Sequence, residues 1–336
     1  MSFNILSPGL LTTVQDLGRH GYQKQGILVS GAMDAIALRV ANLLVGNPED
    51  SAGLEITYLG PRIRFEADHL IALTGADLSP VLNGERVKMA RPVWVRRGSV
   101  LEFSTPRSGI RAYLAVAGSF AIPKVLGSYS TYLRAEIGGF RGRALKTGDL
   151  LPCIGLTPQG HKLWQALAGA YPAKDWGQAK WTPDPQLYPQ PVASPVIRVL
   201  QGPDYELFTE SSQHDFWHQE FTVTSDSDRM GYRLQGPALF RDEPRELLSS
   251  AVTFGTIQVP PEGHPIALLA DHQTTGGYPR IAQVITADFS RLAQVPLGQK
   301  IRFQRISLED AQCLYIKQEQ DIQQIKKSLQ FKIENA

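Results

Sequence analysis

A short stretch near residue 70 recurs near residue 265, and this internal repeat constrains the fold more than any other feature of the chain. Residues 69–73 read HLIAL, and residues 264–268, which lie 195 positions further on, read HPIAL. Gly60 and Gly255 are separated by the same interval, and three further short matches keep the same order. The alternative is chance agreement between turns rich in common residues. Because several matches keep their order, we predict two related halves.

Segments around the repeat alternate between apolar and polar residues, which is typical of half-buried β-strands. Residues 62–65 read RIRF, and residues 93–96 read VWVR. Asn83 and Gly84 form the two-residue turn that most strongly indicates a β-hairpin. The 336 residues include 30 glycines and 23 prolines, so turns are frequent. We therefore predict a mainly β fold with few, short helices.

Two segments have the features of helices. In the first, the apolar residues fall on one face: Ile36, Val40, Leu43 and Leu44. Ser30 or Asp34 is the expected N-terminal cap of this helix, and Gly46 stands where a helix ends. A second helix is predicted to begin near Ser307 and to continue into the polar tail, residues 308–336, as a surface helix with a frayed end.

These features divide the chain into four predicted parts. They are a first half with extra C-terminal strands at 1–156, a connector at 157–194, a second half at 195–307 and the C-terminal helix and tail at 308–336. The connector is rich in proline and holds three tryptophans: Trp164, Trp176 and Trp181. Two interpretations are open, because these tryptophans either pack back on the halves or dock a partner.

Composition excludes several classes of protein. The formal net charge of +2 is too small to indicate a nucleic-acid or membrane-surface role, and no run approaches the roughly 18 apolar residues of a membrane helix. Two cysteines exclude a disulfide scaffold, and seven scattered histidines give no metal-site pattern. Glycine-rich phosphate loops are absent, and Lys88 lacks the surroundings of a biotin-attachment lysine. We expect a cytoplasmic protein without a metal or covalently bound biotin.

Two glycine-rich polar stretches are the candidate functional segments. The first holds Asp16 and Arg19 and is followed by Ser30 at the start of the predicted helix. Free backbone N–H groups and the helix dipole there favour an anion such as a carboxylate. The alternative is ordinary helix capping.

The second stretch covers residues 271–280 and is dense in hydrogen-bonding groups for a turn between two strands. Its candidate residues are Asp271, Gln273, Thr274, Thr275, Gly276, Tyr278 and Arg280. A structural turn rarely needs so many different polar groups, so we interpret it as a binding or catalytic loop. Arg229 and Arg233 are spaced to clamp a carboxylate or phosphate, although surface ion pairs explain the spacing equally well.

Five sequence blocks carry a resemblance to a known family, and they lie at residues 12–19, 30–34, 41–47, 255–261 and 273–280. They resemble the biotin-dependent carboxyltransferase family. This family includes the C subunit of bacterial 5-oxoprolinase (also described as allophanate hydrolase subunit 2), the carboxyltransferase region of urea carboxylase and the antagonist of the sporulation kinase A inhibitor. The resemblance extends from about residue 7 to residue 303.

The resemblance implies a pair of cyclophilin-like β-barrel domains. For a bacterial chain of this kind it implies ATP-dependent opening of 5-oxo-L-proline to L-glutamate, with partner subunits A and B and with ATP bound by the complex. Such chemistry needs a base for water and a cation for the developing charge. As a hypothesis, Asp271 is the base or accepts a substrate N–H group, while Arg229 or Arg280 holds a carboxylate or phosphate.

The chain departs from the family pattern in two places. Residues 247–251 read LLSSA where family members often read LLSEG, and residues 26–28 read GIL in place of GVP. The first change casts doubt on a catalytic role at position 250. Two other functions stay open: a carboxyltransferase component that acts on urea or a related amide with a separate biotin carrier, and a non-catalytic regulator that binds a kinase inhibitor protein.

Overall fold

The first half of the chain folds into two six-stranded sheets in the computed structural model, which describes residues 1–243 and 247–334. The strands are β1 (Ser2–Ser7), β2 (Leu11–Gln15), β3 (Gly53–Thr57), β4 (Arg62–Phe65), β5 (His69–Asp77), β6 (Val81–Leu82), β7 (Glu85–Arg86), β8 (Pro92–Val95), β9 (Val100–Glu102), β10 (Ser108–Val116), β11 (Leu150–Pro152) and β12 (Trp176–Gln178). Their orders are β11-β1-β4-β9-β6-β7 and β12-β8-β5-β10-β3-β2.

The second half contains a closed barrel of seven strands. Its strands, with two outside the ring, are β13 (Val196–Gln201), β14 (Phe221–Val223), β15 (Gly231–Gln235), β16 (Ser250–Ala251), β17 (Thr256–Gln258), β18 (Ile266–Leu268), β19 (Thr275–Gly276), β20 (Arg280–Val284) and β21 (Lys300–Arg305). The ring runs β13-β20-β17-β18-β15-β14-β21, and β13 closes it by pairing in parallel with β21. The mainly β prediction is confirmed, and the halves differ because the first is built from two sheets and the second from a ring.

In the part of the chain that the structure describes, five α-helices accompany the strands: α1 (Ala35–Leu44), α2 (Pro158–Ala170), α3 (Glu210–His218), α4 (Phe289–Ala293) and α5 (Leu308–Glu334). Helix α1 matches the predicted apolar stripe, and its cap is Asp34, whose side chain accepts a hydrogen bond from the N–H of Ala37 at 3.0 Å. The predicted hairpin joins β6 and β7, with positive φ angles of 50° at Asn83 and 84° at Gly84.

Helix α5 covers nearly the whole of the predicted helix and tail and buries one apolar stripe. It has 27 residues, and the four apolar residues of one stripe are buried: Ile322, Ile325, Leu329 and Ile333. This stripe packs against α1 and α2. Outside the stripe, Arg39 of α1 binds the Glu319 carboxylate with two hydrogen bonds of 2.6 and 2.7 Å. Most of the other residues of α5 are exposed, so it lies on the surface as the sequence predicts, with one narrow apolar seam of a polar sequence buried.

The predicted connector folds onto the first half. It contains α2 and β12, and β12 extends a first-half sheet by pairing with β8. All three connector tryptophans pack against apolar cores: Trp164, Trp176 and Trp181. The division of the chain at residues 156, 194 and 307 stays a prediction.

Each half has its own apolar core, and one residue of the first half enters the core of the second. Met33, from the loop before α1, is 1% exposed and belongs to the core of the second half. The segment at the start of α1 is thus held by both halves. Throughout the described ranges, each helix is too short or too polar to span a bilayer.

Candidate functional site

Four buried side chains from both halves form a charge cluster, which we define as Ser30, Glu55, Arg229 and Asp271. The Ser30 hydroxyl donates to Asp271 Oδ1 at 2.6 Å. Arg229 donates to the same carboxylate twice, with Nε 2.8 Å from Oδ2 and Nη2 3.1 Å from Oδ1. On its other side, the guanidinium donates to Glu55 through Nη1 and to the carbonyl of Gly31 through Nη2 at 2.7 Å. The charge cluster therefore joins the two glycine-rich stretches across the halves.

The backbone brings these side chains together through tight turns. Ser30 has a φ of 57° and Gly31 a φ of 95°, both in the left-handed region. A Cβ atom at Gly31 would lie 3.0 Å from the amide nitrogen of Gly18, so glycine allows the two loops to meet. In the second half, the N–H of Asp271 donates to the carbonyl of Arg229 at 2.8 Å. This bond sets the carboxylate beside the guanidinium.

Electrostatics in the charge cluster are dominated by one arginine between two carboxylates. Burial works against the charged form of Arg229, but the charges of Asp271 and Glu55 outweigh it, so the pKa of Arg229 lies above its ordinary value. The other oxygen of Glu55 accepts hydrogen bonds from the N–H of Met33 at 2.8 Å and from the Tyr113 hydroxyl at 2.7 Å. Burial, followed by the charge of Glu55, holds the pKa of Tyr113 well above its usual range.

Arg19 lies beside the charge cluster and has an unused donor. Its Nε donates to the carbonyl of Val125 at 3.0 Å and its Nη2 to the carbonyl of Ser130 at 2.8 Å, whereas Nη1 has no hydrogen-bond partner within the described ranges. Burial lowers the pKa of Arg19, and the charges of Asp16 and Asp271 oppose this shift. The Asp16 carboxylate is held by four donors: the N–H groups of Gly18 and Tyr129 and the hydroxyls of Ser128 and Ser130.

A second set of buried polar contacts joins the halves, and the sequence analysis did not anticipate it. Asp34 accepts from the Ser290 hydroxyl at 2.8 Å and from Gln294 Nε2 at 2.9 Å. Gln294 Oε1 accepts from the N–H of Arg111 at 3.1 Å, and Arg111 Nη1 donates to the Tyr232 hydroxyl at 2.6 Å. Burial raises the pKa of Asp34. These bonds fix the relative position of the halves.

A cavity of about 230 Å³ is lined in part by residues that adjoin members of the charge cluster in sequence, and we call it the loop cavity. Its polar lining residues are Arg134, Asp226, Asp228, Arg233, Gln258, Gln273 and Tyr278. Met230 and Gly231, which follow Arg229 directly, form part of its wall. Arg134 comes from the first half and bridges to the Asp228 carboxylate of the second half at 3.4 Å.

The predicted site residues thus fall into separate groups. Thr274, Thr275 and Gly276 lie in the loop between β18 and β20, where β19 pairs with β16, the strand that holds the departure from the family motif. Arg280 begins β20, and its Nε donates to Asp204 at 2.9 Å. The structure does not bring Arg229 and Arg233 into one clamp, because Arg229 is buried in the charge cluster while Arg233 lines the loop cavity. The roles of these residues stay predictions.

Two buried polar residues at the site, Glu55 and Gln258, were not among the site residues predicted from the sequence. Glu55 lies on β3, a strand that reads GLEIT and whose first four residues are all buried. A carboxylate in such a strand needs a buried partner, and that requirement was the available signal. Gln258 ends β17 and is 1% exposed, but a glutamine at the end of a short strand gives no comparable signal.

Within the part of the chain that the structure describes, no group of three or more His, Cys, Asp or Glu side chains could hold a metal ion. The two cysteines are both free, Cys153 half-buried and Cys313 exposed. Burial raises the pKa of the Cys153 thiol to about 12, which leaves it protonated at neutral pH.

Comparison with known proteins adds to this geometry. Residues 25–305 match the family described as carboxyltransferase domain, subdomain A and B. The chain therefore belongs to the carboxyltransferase-domain family.

Its relatives include two bacterial proteins of similar length. The C subunit of 5-oxoprolinase from Escherichia coli (strain K12) is 43% identical over 331 residues, which cover 98% of each chain. The protein of the same name from Haemophilus influenzae is 41% identical over 324 residues, covering 96% of this chain and 97% of the relative.

Among solved structures, the urea amidolyase of K. lactis matches with a TM-score of 0.86 and 30% identity. The match covers 96% of this chain and 20% of the urea amidolyase chain. This chain therefore spans about one fifth of that larger protein.

Proposed function

We propose that this chain is the C subunit of a heteromeric 5-oxoprolinase, which opens 5-oxo-L-proline to L-glutamate with ATP and with partner subunits A and B. The observation that carries the proposal is the 43% identity to the C subunit of the Escherichia coli 5-oxoprolinase, because it extends over 98% of both chains. The five blocks that carry the resemblance include the segments of the charge cluster at Ser30 and the loop that follows Asp271.

The reaction demands activation of an amide that resonance protects from water. Transfer of the γ-phosphoryl group of ATP to the lactam oxygen releases ADP and makes the carbon electrophilic. Water adds to this carbon, the carbon–nitrogen bond breaks, and the nitrogen takes up a proton. Hydrolysis of the resulting acyl phosphate by a second water gives glutamate and phosphate. The protein must therefore orient the lactam, stabilise charge on oxygen and accept a proton from water.

The charge cluster supports a positioning role for Arg229. The guanidinium binds both oxygens of Asp271 and also reaches Glu55, so protein carboxylates occupy it. We assign it to the orientation of Asp271. Asp271 then accepts a proton or a substrate N–H group at a site that the Ser30 hydroxyl also contacts.

The test is ATP hydrolysis that depends on 5-oxo-L-proline, measured with subunits A and B in the presence and absence of this chain. We expect ADP and glutamate to form only when all three components are mixed. A rate that this chain does not change would contradict the proposal.

Urea is the second candidate substrate, because the K. lactis urea amidolyase has the same fold over 96% of this chain. The same mixture is therefore supplied with urea and a carboxylated biotin carrier. Carboxyl transfer to urea, without turnover of 5-oxo-L-proline, would favour the carboxyltransferase function.

A further inference from the structure

The loop cavity contains a buried amide group that no described protein atom satisfies. Gln258 is 1% exposed, and its Nε2 has no hydrogen-bond partner in the ranges that the structure describes. Its Oε1 lies 3.4 Å from Nε2 of Gln273, at the long end of hydrogen-bond distance. Leaving a buried donor without a partner is costly, so in a native structure a ligand, an ion or an ordered water usually meets it.

The same cavity contains a cation without a protein counter-ion. The guanidinium of Arg233 makes no hydrogen bond or ion pair with any residue in the ranges 1–243 and 247–334, although Arg233 lines the cavity and is exposed. Arg134, by contrast, is engaged with Asp228. Arg233 is thus the cavity's available group for a carboxylate.

The other charges select among anions. Asp226 and Asp228 also line the cavity, and they repel a ligand with several negative charges. A monoanion that carries an amide suits these groups better than a polyphosphate. Tyr278, which is 46% exposed at the same cavity, offers an aromatic face to a small ring.

We propose that the loop cavity binds 5-oxo-L-proline, with Arg233 pairing with the carboxylate and Gln258 Nε2 donating to the lactam carbonyl. This assignment rests on the proposed 5-oxoprolinase function. Gly276 leaves room for the Gln258 side chain, because a Cβ atom at position 276 would lie 2.3 Å from Gln258 Nε2. The loop after Asp271 therefore sets the position of the amide that meets the substrate.

The experiment measures KM for 5-oxo-L-proline and the inhibition constant of 2-pyrrolidinone, the same lactam without a carboxylate, using the complete complex. Arg233→Gln should raise KM for 5-oxo-L-proline about ten- to hundredfold and leave 2-pyrrolidinone inhibition within about twofold of the original complex. Gln258→Met should weaken both ligands, because both carry the lactam carbonyl. Arg305→Gln, at an exposed position of β21 away from the cavity, is the control and should change neither value.

A second pair of variants avoids replacement of the buried glutamine. Gly276→Ala displaces Gln258 and should raise KM for 5-oxo-L-proline. Gly277→Ala is the matched control, because its Cβ atom would meet Ser249 Oγ at an ordinary contact distance of 3.4 Å. Equal KM values for these two variants would count against the role of Gln258.

Three outcomes separate this assignment from the proposed function. Turnover of 5-oxo-L-proline with an unchanged KM in Arg233→Gln and Gln258→Met overturns the assignment and leaves the function intact. An increase in KM for ATP alone overturns it as well, since the cavity would then serve a phosphate. If the complex of the original chains never turns over 5-oxo-L-proline, the proposed 5-oxoprolinase function is wrong. The assignment of the loop cavity, which rests on that function, is then wrong as well.

Discussion

Replacement of Arg229 by methionine is expected to destabilise the chain through charge and not through lost volume. The variant leaves Asp271 and Glu55 with exposures of 4% and 1% and without their shared cation. Removing one partner of a buried ion pair typically costs about 3–5 kcal/mol. Asp271 keeps the Ser30 hydroxyl as a donor, and Glu55 keeps two donors, so we expect a loss at the lower end, about 3 kcal/mol.

Urea denaturation followed by circular dichroism measures this loss, at about pH 7 and about pH 5. The uncompensated carboxylates of the folded variant take up a proton as the pH falls, so the folded form binds more protons than in the original chain. The difference in unfolding free energy between the original chain and the variant must therefore be smaller at about pH 5 than at about pH 7. The double variant Arg229→Met/Glu55→Gln should recover part of the stability, because it removes one buried charge. A deficit that does not change with pH, or a double variant no more stable than the single one, would refute this reasoning.

Three further predictions concern Asp271, helix α5 and His69. Asp271→Asn should reduce turnover by the complex about hundredfold or more, while circular dichroism shows that the chain stays folded. Near-normal turnover would contradict the role of Asp271 as a base or as the acceptor of a substrate N–H group. Ile325→Ala, in the buried seam of α5, should lower the free energy of unfolding by about 3 kcal/mol in urea, whereas Ile316→Ala at a 54% exposed position should change it by less than about 0.5 kcal/mol. Burial lowers the pKa of His69 from 6.5 to about 4, so the folded chain binds fewer protons and loses up to about 3 kcal/mol as the pH falls through this window. Urea titrations at several pH values should show a smaller loss for His69→Asn, and an equal loss would place the effect in other groups.

Local sequence patterns predicted those elements that depend on neighbouring residues. The apolar stripe of α1, its cap at Asp34 and the hairpin at Asn83 all follow from interactions within a few positions. The second role of Asp34, as an acceptor for Gln294, joins residues 260 positions apart and depends on how the halves pack. Spacing alone carries no information about such a contact.

In the candidate site, too, the sequence predicted what depends on local composition and missed what depends on the folded arrangement. The two polar stretches stood out by composition, and both contribute to the charge cluster. Gln258 could not be found in this way, because its significance comes from an absent partner among the described residues of the folded chain. For helix α5 the sequence predicted the element but not the surface against which its apolar seam packs, because α1 and α2 supply that surface only in the folded chain.

The parallel pairing of β13 with β21 has a consequence for the order of events during synthesis. β13 is the first strand of the ring to emerge from the ribosome and β21 the last, and β14 also needs β21 as a neighbour. The sheets of the first half can assemble as soon as residue 178 has emerged, whereas the ring stays open until residue 305 follows. A nascent chain that pauses between these points therefore exposes unpaired strand edges, which are prone to pair with other chains and aggregate.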